Sequence, residues 1–248
     1  MLSTINSHPR DSRIRFEDKG HKYYINGDGS YTSVTTWVKS HFNKFDADAV
    51  IKKMMESQNW ENSKYFGMTP EQIKAQWRYT STKACTQGTK LHSVIEDYYN
   101  GKTSDHGSPE YAQFIEFDND HDYLTPYRTE WKIWDEDLKL SGTVDMLFKK
   151  DDGTFVLCDW KNSKEIVISK TYMDFAITDC IAHIPDTNYW HYSLQLNAYK
   201  AILERKYGIK ISEMILVCFH HTQAKYKKFK VAPMDENMNE LLGLITNC

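Results

Sequence analysis

The sequence predicts an α/β fold in which a mixed sheet is flanked by helices. Two observations carry this expectation. Three runs, PYRTEWKIW, KLSGTVDMLFKK and TFVLCDWK, are rich in β-branched and aromatic residues and are separated by the turn residues Asp135-Glu136-Asp137 and Asp151-Asp152-Gly153. On both sides of this block, apolar residues recur at helical spacing. From residue 80 onward the major elements therefore run α-β-β-β-α-β, the order of a sheet with helices packed on it.

Each element has its own signal. RIRFED and HKYYIN alternate around a Lys19-Gly20 turn, and Gly27-Asp28-Gly29-Ser30 makes a second turn. Helices are expected near residues 34–42 and 46–57. Thr69-Pro70-Glu71 places an N-cap candidate before a proline at the first helical position. A longer helix is expected over 80–99, stopping at Asn100-Gly101, and Ser108-Pro109-Glu110 starts another. After the strand block, helical periodicity returns over 190–206 and ends at Gly208. ISEMILVCFHH is a buried strand, AKYKKFKV an exposed one and DENMNELLGLI a final helix; the stretch 164–189 has no clear assignment. The division expected is an N-terminal strand/helix extension over 1–79, packed on a core over 80–248.

Composition bounds the function. Apolar residues make up 40% of the chain and charged residues 26%, as in ordinary soluble domains. No run of about 18 apolar residues suggests a membrane span, and the N-terminus lacks the apolar stretch of a signal peptide. Cys85, Cys158, Cys180, Cys218 and Cys248 are scattered and odd in number, which points to an intracellular, reducing compartment and away from a disulfide framework. None lies in a CxxC pair, and the His220-His221 and His183…His191 pairs lack zinc-site spacing. The net charge of −3 gives no global support for polyanion binding, so any polyanion must meet a local basic surface or a bound metal.

The chemistry concentrates in one hairpin. A three-residue loop Asp151-Asp152-Gly153, with Gly153 in the left-handed conformation, pairs Lys150 with Thr154. The same register sets Asp145 across from Asp159, with Cβ atoms about 5 Å apart. Lys161, two residues on, leaves the same face. Two carboxylates and an ammonium suit hydrolysis of an anionic phosphodiester. Mg²⁺ or Mn²⁺ prefers carboxylate, carbonyl and water oxygens, and can polarise a phosphoryl oxygen and activate water. A neighbouring lysine can orient or deprotonate that water, or neutralise developing charge. The ordinary reading of an Asp/Lys cluster on a strand is a solvated ion-pair face. Here Asp159 follows Phe155-Val156-Leu157-Cys158, and Asp145 lies between Val144 and Met146. Acids in such apolar strands are costly unless paired or metal-bound.

Two helices add candidates. In GTKLHSVIEDYY, His92 and Glu96 share a helix face, and Gly88, four residues before His92, would let a nucleic-acid backbone approach. The plainer alternative is an amphipathic helix whose core is Leu91, Val94, Ile95 and Tyr98. In SLQLNAYKAIL, Gln195 and Tyr199 share a face while Leu194, Ala198 and Ile202 read as core. AKYKKFK interleaves lysines, Lys225 and Lys227 among them, with Tyr226 and Phe229; it is either a phosphate-tracking strand or an edge strand protected by lysines.

Taken in order, GTKLHSVIEDYYNG, SGTVDMLF, VLCDWKNSK and LQLNAYKAIL resemble the PD-(D/E)XK nuclease superfamily, and within it the RecB-like branch. The layout is similar to mitochondrial genome maintenance exonucleases and to phage and viral recombination nucleases. The resemblance spans roughly residues 80–220 and implies a restriction-endonuclease-like αβββαβ core. It implies that His92, Asp145 and Asp159 are metal ligands, that Trp160 adds its backbone carbonyl and that Lys161 is the catalytic lysine. It gives Glu96 a contact to a second metal or its water, and Gln195 and Tyr199 a role in supporting the site and holding the substrate strand. Glu130, on the first strand of the block, points to the site in some relatives. Val144 stands where the family's proline would precede Asp145, and the cysteine pattern of iron–sulfur relatives is missing, so no cluster is expected. The implied activity is a DNA exonuclease for end processing, recombination, repair or replication, using one or two Mg²⁺ or Mn²⁺ ions. Such an enzyme would act on DNA with a free end, alone or beside a separately encoded helicase. An endonuclease on DNA or RNA, or an inactive nucleic-acid-binding module, remains the alternative.

Overall fold

The computed structural model describes residues 1–102, 107–171 and 174–246. Cys248 lies outside them. Two compact units are present, residues 44–90 forming one and residues 1–43 with 91–248 the other. The units part at 43/44 and 90/91, rather than at the 79/80 boundary expected from sequence. Residues 1–43 belong with the larger unit because one of their strands enters its sheet. Among the described residues no helix is long and apolar enough to cross a membrane.

In the larger unit, α1 (Leu2–Ile5) leads to a hairpin of β1 (Ile14–Glu17) and β2 (Lys22–Ile25). β3 (Thr32–Ser33) and α2 (Val34–Ser40) follow, with the Ser33 side chain accepting the Thr36 N–H as an N-cap. The smaller unit holds α3 (Ala47–Met55) and most of α4 (Pro70–Tyr99). Thr69 and Gln72 form a reciprocal capping box at the start of α4, at 2.8 and 3.3 Å. The helix expected over 80–99 thus begins at residue 70, because the cap starts it there and no proline or glycine interrupts it before Gly88. Ile51 and Ile73 are the buried residues of this unit's helices. The last turns of α4, from Leu91, belong to the larger unit.

The remainder follows the expected order: α5 (Pro109–Asp120), β4 (Thr125–Asp135), β5 (Leu140–Lys149), β6 (Phe155–Asn162), α6 (Asn188–Tyr207), β7 (Ile211–Phe219), β8 (Lys227–Val231) and α7 (Asp235–Thr246). The central sheet is mixed. Its path is β3-β5-β6-β7-β8, and β4 pairs with β5. β6 and β7 are parallel, joined by a crossover that contains α6, while β4–β5, β5–β6 and β7–β8 are antiparallel. Between β6 and α6, the unassigned stretch contributes a short 3₁₀ turn at Asp179–Ile181 and a bridge between Phe175 and Pro185.

Alternation along the strands splits the core in two. Leu147, Leu157 and Leu216 pack with residues of α6 and α7, including Leu194, Ile202 and Leu241. Phe148, Val156, Cys158 and Val217 pack with Leu91 and Ile95 of α4 and with Phe114 and Phe117 of α5. The helices on both faces exclude water from the strand centres, so an acid there needs a partner.

One glycine fixes how α6 meets the sheet. A Cβ built on Gly142 would lie 2.5 Å from Cε1 of Tyr199, which is only 3% exposed. Tyr199 sits against the β5 backbone where any side chain would exclude it. A Gly142→Ala variant is expected to lose about 1–3 kcal/mol through overpacking, read as a lower Tm, because the buried ring has no room to withdraw.

Candidate metal and catalytic site

The hairpin register is the one expected. Met146 pairs with Cys158, Leu147 with Leu157, Phe148 with Val156 and Lys149 with Phe155. The Lys150 N–H donates to the Thr154 carbonyl at 2.8 Å, and Gly153 has φ +80°. The ladder ends at Met146–Cys158, one step short of Asp145 and Asp159. β5 goes on to pair with β3 at Leu140 and Ser141, and β6 stays paired with β7. The two strands part where the acids begin.

Parting leaves the Trp160 peptide without its β5 partners, and side chains replace them. The Trp160 N–H donates to Asp145 Oδ2 at 2.9 Å. The Trp160 carbonyl accepts from His92 Nε2 at 3.1 Å. The other ring nitrogen, Nδ1, lies 3.2 Å from Glu130 Oε1 and 3.7 Å from Asp145 Oδ1. Both ring nitrogens thus face acceptors, the arrangement of a doubly protonated imidazolium. Burial opposes that charge, but Asp145 and Glu130 outweigh it and raise the His92 pKa to about 9.

Glu130 reaches the site through an unusual backbone. It has φ +45° within β4, between the pairs Thr129–Met146 and Trp131–Val144. A non-glycine residue in this region is strained, and such strain concentrates at functional sites. His92, Glu130 and Asp145 each offer a ligand atom within 4.8 Å of the others, which makes them a candidate divalent-metal cluster. One imidazole nitrogen and two carboxylates, beside a backbone carbonyl, form a donor set that Mg²⁺ or Mn²⁺ accepts.

Asp159 and Lys161 face α6. The Lys161 ammonium pairs with Asp159 Oδ2 and lies 4.7 Å from the centre of the Tyr192 ring. Gln195 Nε2 donates to Asp159 Oδ1 at 3.4 Å and to the Tyr199 hydroxyl at 3.3 Å. Asp159 is 2% exposed and Asp145 9%. Burial is the largest influence on both carboxyls and pushes their pKa values up, against the pull of Lys161 and His92. Burial works against the Lys161 charge too, but Asp159 and Asp145 overcome it and hold the amine firmly as a cation.

The other candidates fall elsewhere. The Glu96 carboxylate is not among the three clustered ligands; with Glu130 it lines an adjoining cavity. Gly88 belongs to the smaller unit, and a Cβ there would meet nothing within 4 Å. Tyr199 is turned into the protein against Gly142, so it supports Asp159 through Gln195 and presents no surface to a strand. Lys227 lies on β8, the last strand of the sheet path, with all of β7 between it and Asp159. Lys225 precedes that strand and is paired with Glu116 at 2.9 Å. This is the protected-edge arrangement.

Two supporting residues escape sequence reasoning. Tyr192 is three residues before Gln195 and seven before Tyr199, on the same face of α6, and that spacing was its only signal. Tyr23 of β2 shares a hydrogen bond of 2.8 Å with Thr143, two residues before Asp145 on β5, and nothing local in the sequence announces it.

No family model and no curated protein matches the chain. Among solved structures it is similar to a candidate exonuclease from Eubacterium rectale, at 12% identity and a TM-score of 0.39, over 88% of this chain and 78% of that one. It is also similar to SSO0001, at 14% identity and a TM-score of 0.35, over 88% and 74% of the two chains. The chemistry of the site rests on its own residues.

Proposed function

We propose that this chain is a metal-dependent nuclease of the RecB-like kind, and in its finer form a DNA exonuclease that works from a free end. The observation that carries this is the convergence of His92, Glu130 and Asp145 beside the Trp160 carbonyl, with Lys161 held on Asp159. Charge supports it. Counted formally, three acids, Glu130, Asp145 and Asp159, face two bases, His92 and Lys161. Exchanging the His92 proton for a divalent ion brings that formal balance to neutrality, so the site is built to accept a 2+ charge.

His92, Glu130 and Asp145 would hold the ion, with Asp159 and the Trp160 carbonyl as the further ligands that the family resemblance implies. A bound Mg²⁺ or Mn²⁺ would supply Lewis acidity and an activated water. Lys161 stays an ammonium in this setting and acts as a donor, placed to neutralise charge gathering on phosphoryl oxygens. Tyr192 and Asp159 restrict its position, and Gln195 restricts that of Asp159. The buried side chains around the acids keep the local dielectric low, which strengthens each of these interactions.

End-labelled single-stranded, double-stranded and circular DNA, incubated with Mg²⁺ or Mn²⁺, tests the activity. Linear DNA should shorten while circles stay intact. Lys161→Ala and Asp145→Asn should each reduce cleavage by at least about 100-fold. Cut circles would select an endonuclease instead, and equal activity in the variants and the wild type would refute the site.

Metal affinity should follow the His92 proton. The proton competes with the ion, and it is held up to about pH 9 in the metal-free site. Apparent Mn²⁺ affinity should therefore rise about tenfold per pH unit through the neutral range and level off near that value. Calorimetry in buffers of different ionisation enthalpy should show a proton released on binding. A pH-independent affinity would contradict His92 as a ligand.

A further inference from the structure

A cavity of about 330 Å³ has Glu130 of the candidate metal cluster in its wall. Glu96 of α4 also lines it, β4 contributes Thr129, Glu130 and Lys132, and β1 contributes Ile14, Arg15 and Phe16. The N-terminal hairpin therefore forms one wall of a groove whose other wall is the strand carrying Glu130.

Three acids and three bases line this groove, and they differ in how firmly they are paired; Glu96, like Lys132, has no ion pair among the described residues. Asp11 and Arg128 also line it, but they neutralise each other at 2.8 Å, and Asp11 further accepts the Trp131 indole N–H at 2.7 Å. Glu130 is engaged by His92. Lys132 has no ion pair among the described residues. Arg15 has one contact to Glu17 at 3.9 Å and lies over the Tyr24 ring at 4.5 Å, with its side chain 66% exposed. Two cations and one acid, Glu96, thus stand without firm partners beside the acidic metal cluster. Lys132 is two residues along β4 from Glu130, a separation of roughly 6.6 Å in an extended strand. That is close to the step between neighbouring phosphates of an extended nucleic-acid strand. Ile14 and Phe16 give the same groove an apolar edge.

We propose that this groove seats the nucleotide adjoining the scissile phosphodiester, with Lys132 and Arg15 binding its phosphate and Ile14 and Phe16 packing its sugar or base. The proposal rests on the nuclease function and adds a substrate subsite to it. Both cations bind ground state and transition state alike, since neither reaches the reacting phosphate, so their removal acts on KM and leaves kcat in place.

Cleavage of an end-labelled single-stranded oligodeoxynucleotide in Mn²⁺, measured for wild type, Arg15→Ala, Lys132→Ala and Lys132→Arg, tests this. Each alanine variant should raise KM about tenfold with kcat within about twofold, and Lys132→Arg should recover most of the loss. In a Lys161→Ala background, where binding can be followed without cleavage, each alanine change should lower the salt slope of binding by about one. Arg15 is on the surface, so its variant reports even if Lys132→Ala fails to fold. Wild type that cuts, with unchanged KM and salt slope in the variants, overturns the groove alone. A fall in kcat at constant KM overturns it too. Wild type that cuts nothing in Mg²⁺ or Mn²⁺ overturns the nuclease function and the groove with it.

Discussion

The Trp160 peptide is the point on which the site depends. β5 and β6 pair through Met146–Cys158 and then part, which strands an N–H and a carbonyl inside the protein. A buried peptide without partners is expensive, so the gap must be bridged. Asp145 takes the N–H and His92 serves the carbonyl. The same two side chains, with Glu130, form the candidate metal cluster. A defect in sheet pairing has become the frame of the candidate site, because the groups that repair it are acids and an imidazole.

That repair explains how buried acids persist at the centre of an apolar sheet. Asp145 leans on His92 and a peptide N–H, and Asp159 on Lys161 and Gln195. Each pair offsets part of the desolvation penalty, and none leaves a lone charge in the core. The supporting contacts are long-range: Gln195 and Tyr192 come from α6, Glu130 from β4 and His92 from α4. Gly142 ties α6 to β5, since its missing side chain lets Tyr199 seat there.

Much of this was legible in the sequence, for reasons that differ by element. The β5–β6 register followed from Gly153, whose left-handed turn sets the pairs as far as Met146–Cys158, one step short of the expected Asp145–Asp159 pair. The caps at Thr69, Ser108 and Gly208 followed from local side-chain and backbone chemistry. His92 was marked by sharing a helix face with Glu96, and only the family resemblance implied that it is a ligand. The features that stayed hidden are products of tertiary structure. No periodicity tells that β5 and β6 will part, or that Glu130 will adopt φ +45° and turn toward His92. Tyr192 looked like one more aromatic residue on α6, and its position over Lys161 exists only after α6 packs. Lys225 and Lys227 carried the opposite lesson. Their interleaving with aromatic residues was compatible with phosphate contact, but sheet order put them at an edge, away from the acids.

The central claim is that the gap between β5 and β6 is a divalent-metal site. Crystals equilibrated with Mn²⁺ above pH 8 test it most directly through an anomalous difference map. The account predicts a peak bounded by His92 Nδ1, Glu130 and Asp145. A map empty at this position with Mn²⁺ in excess, or a peak held by other residues, would contradict it.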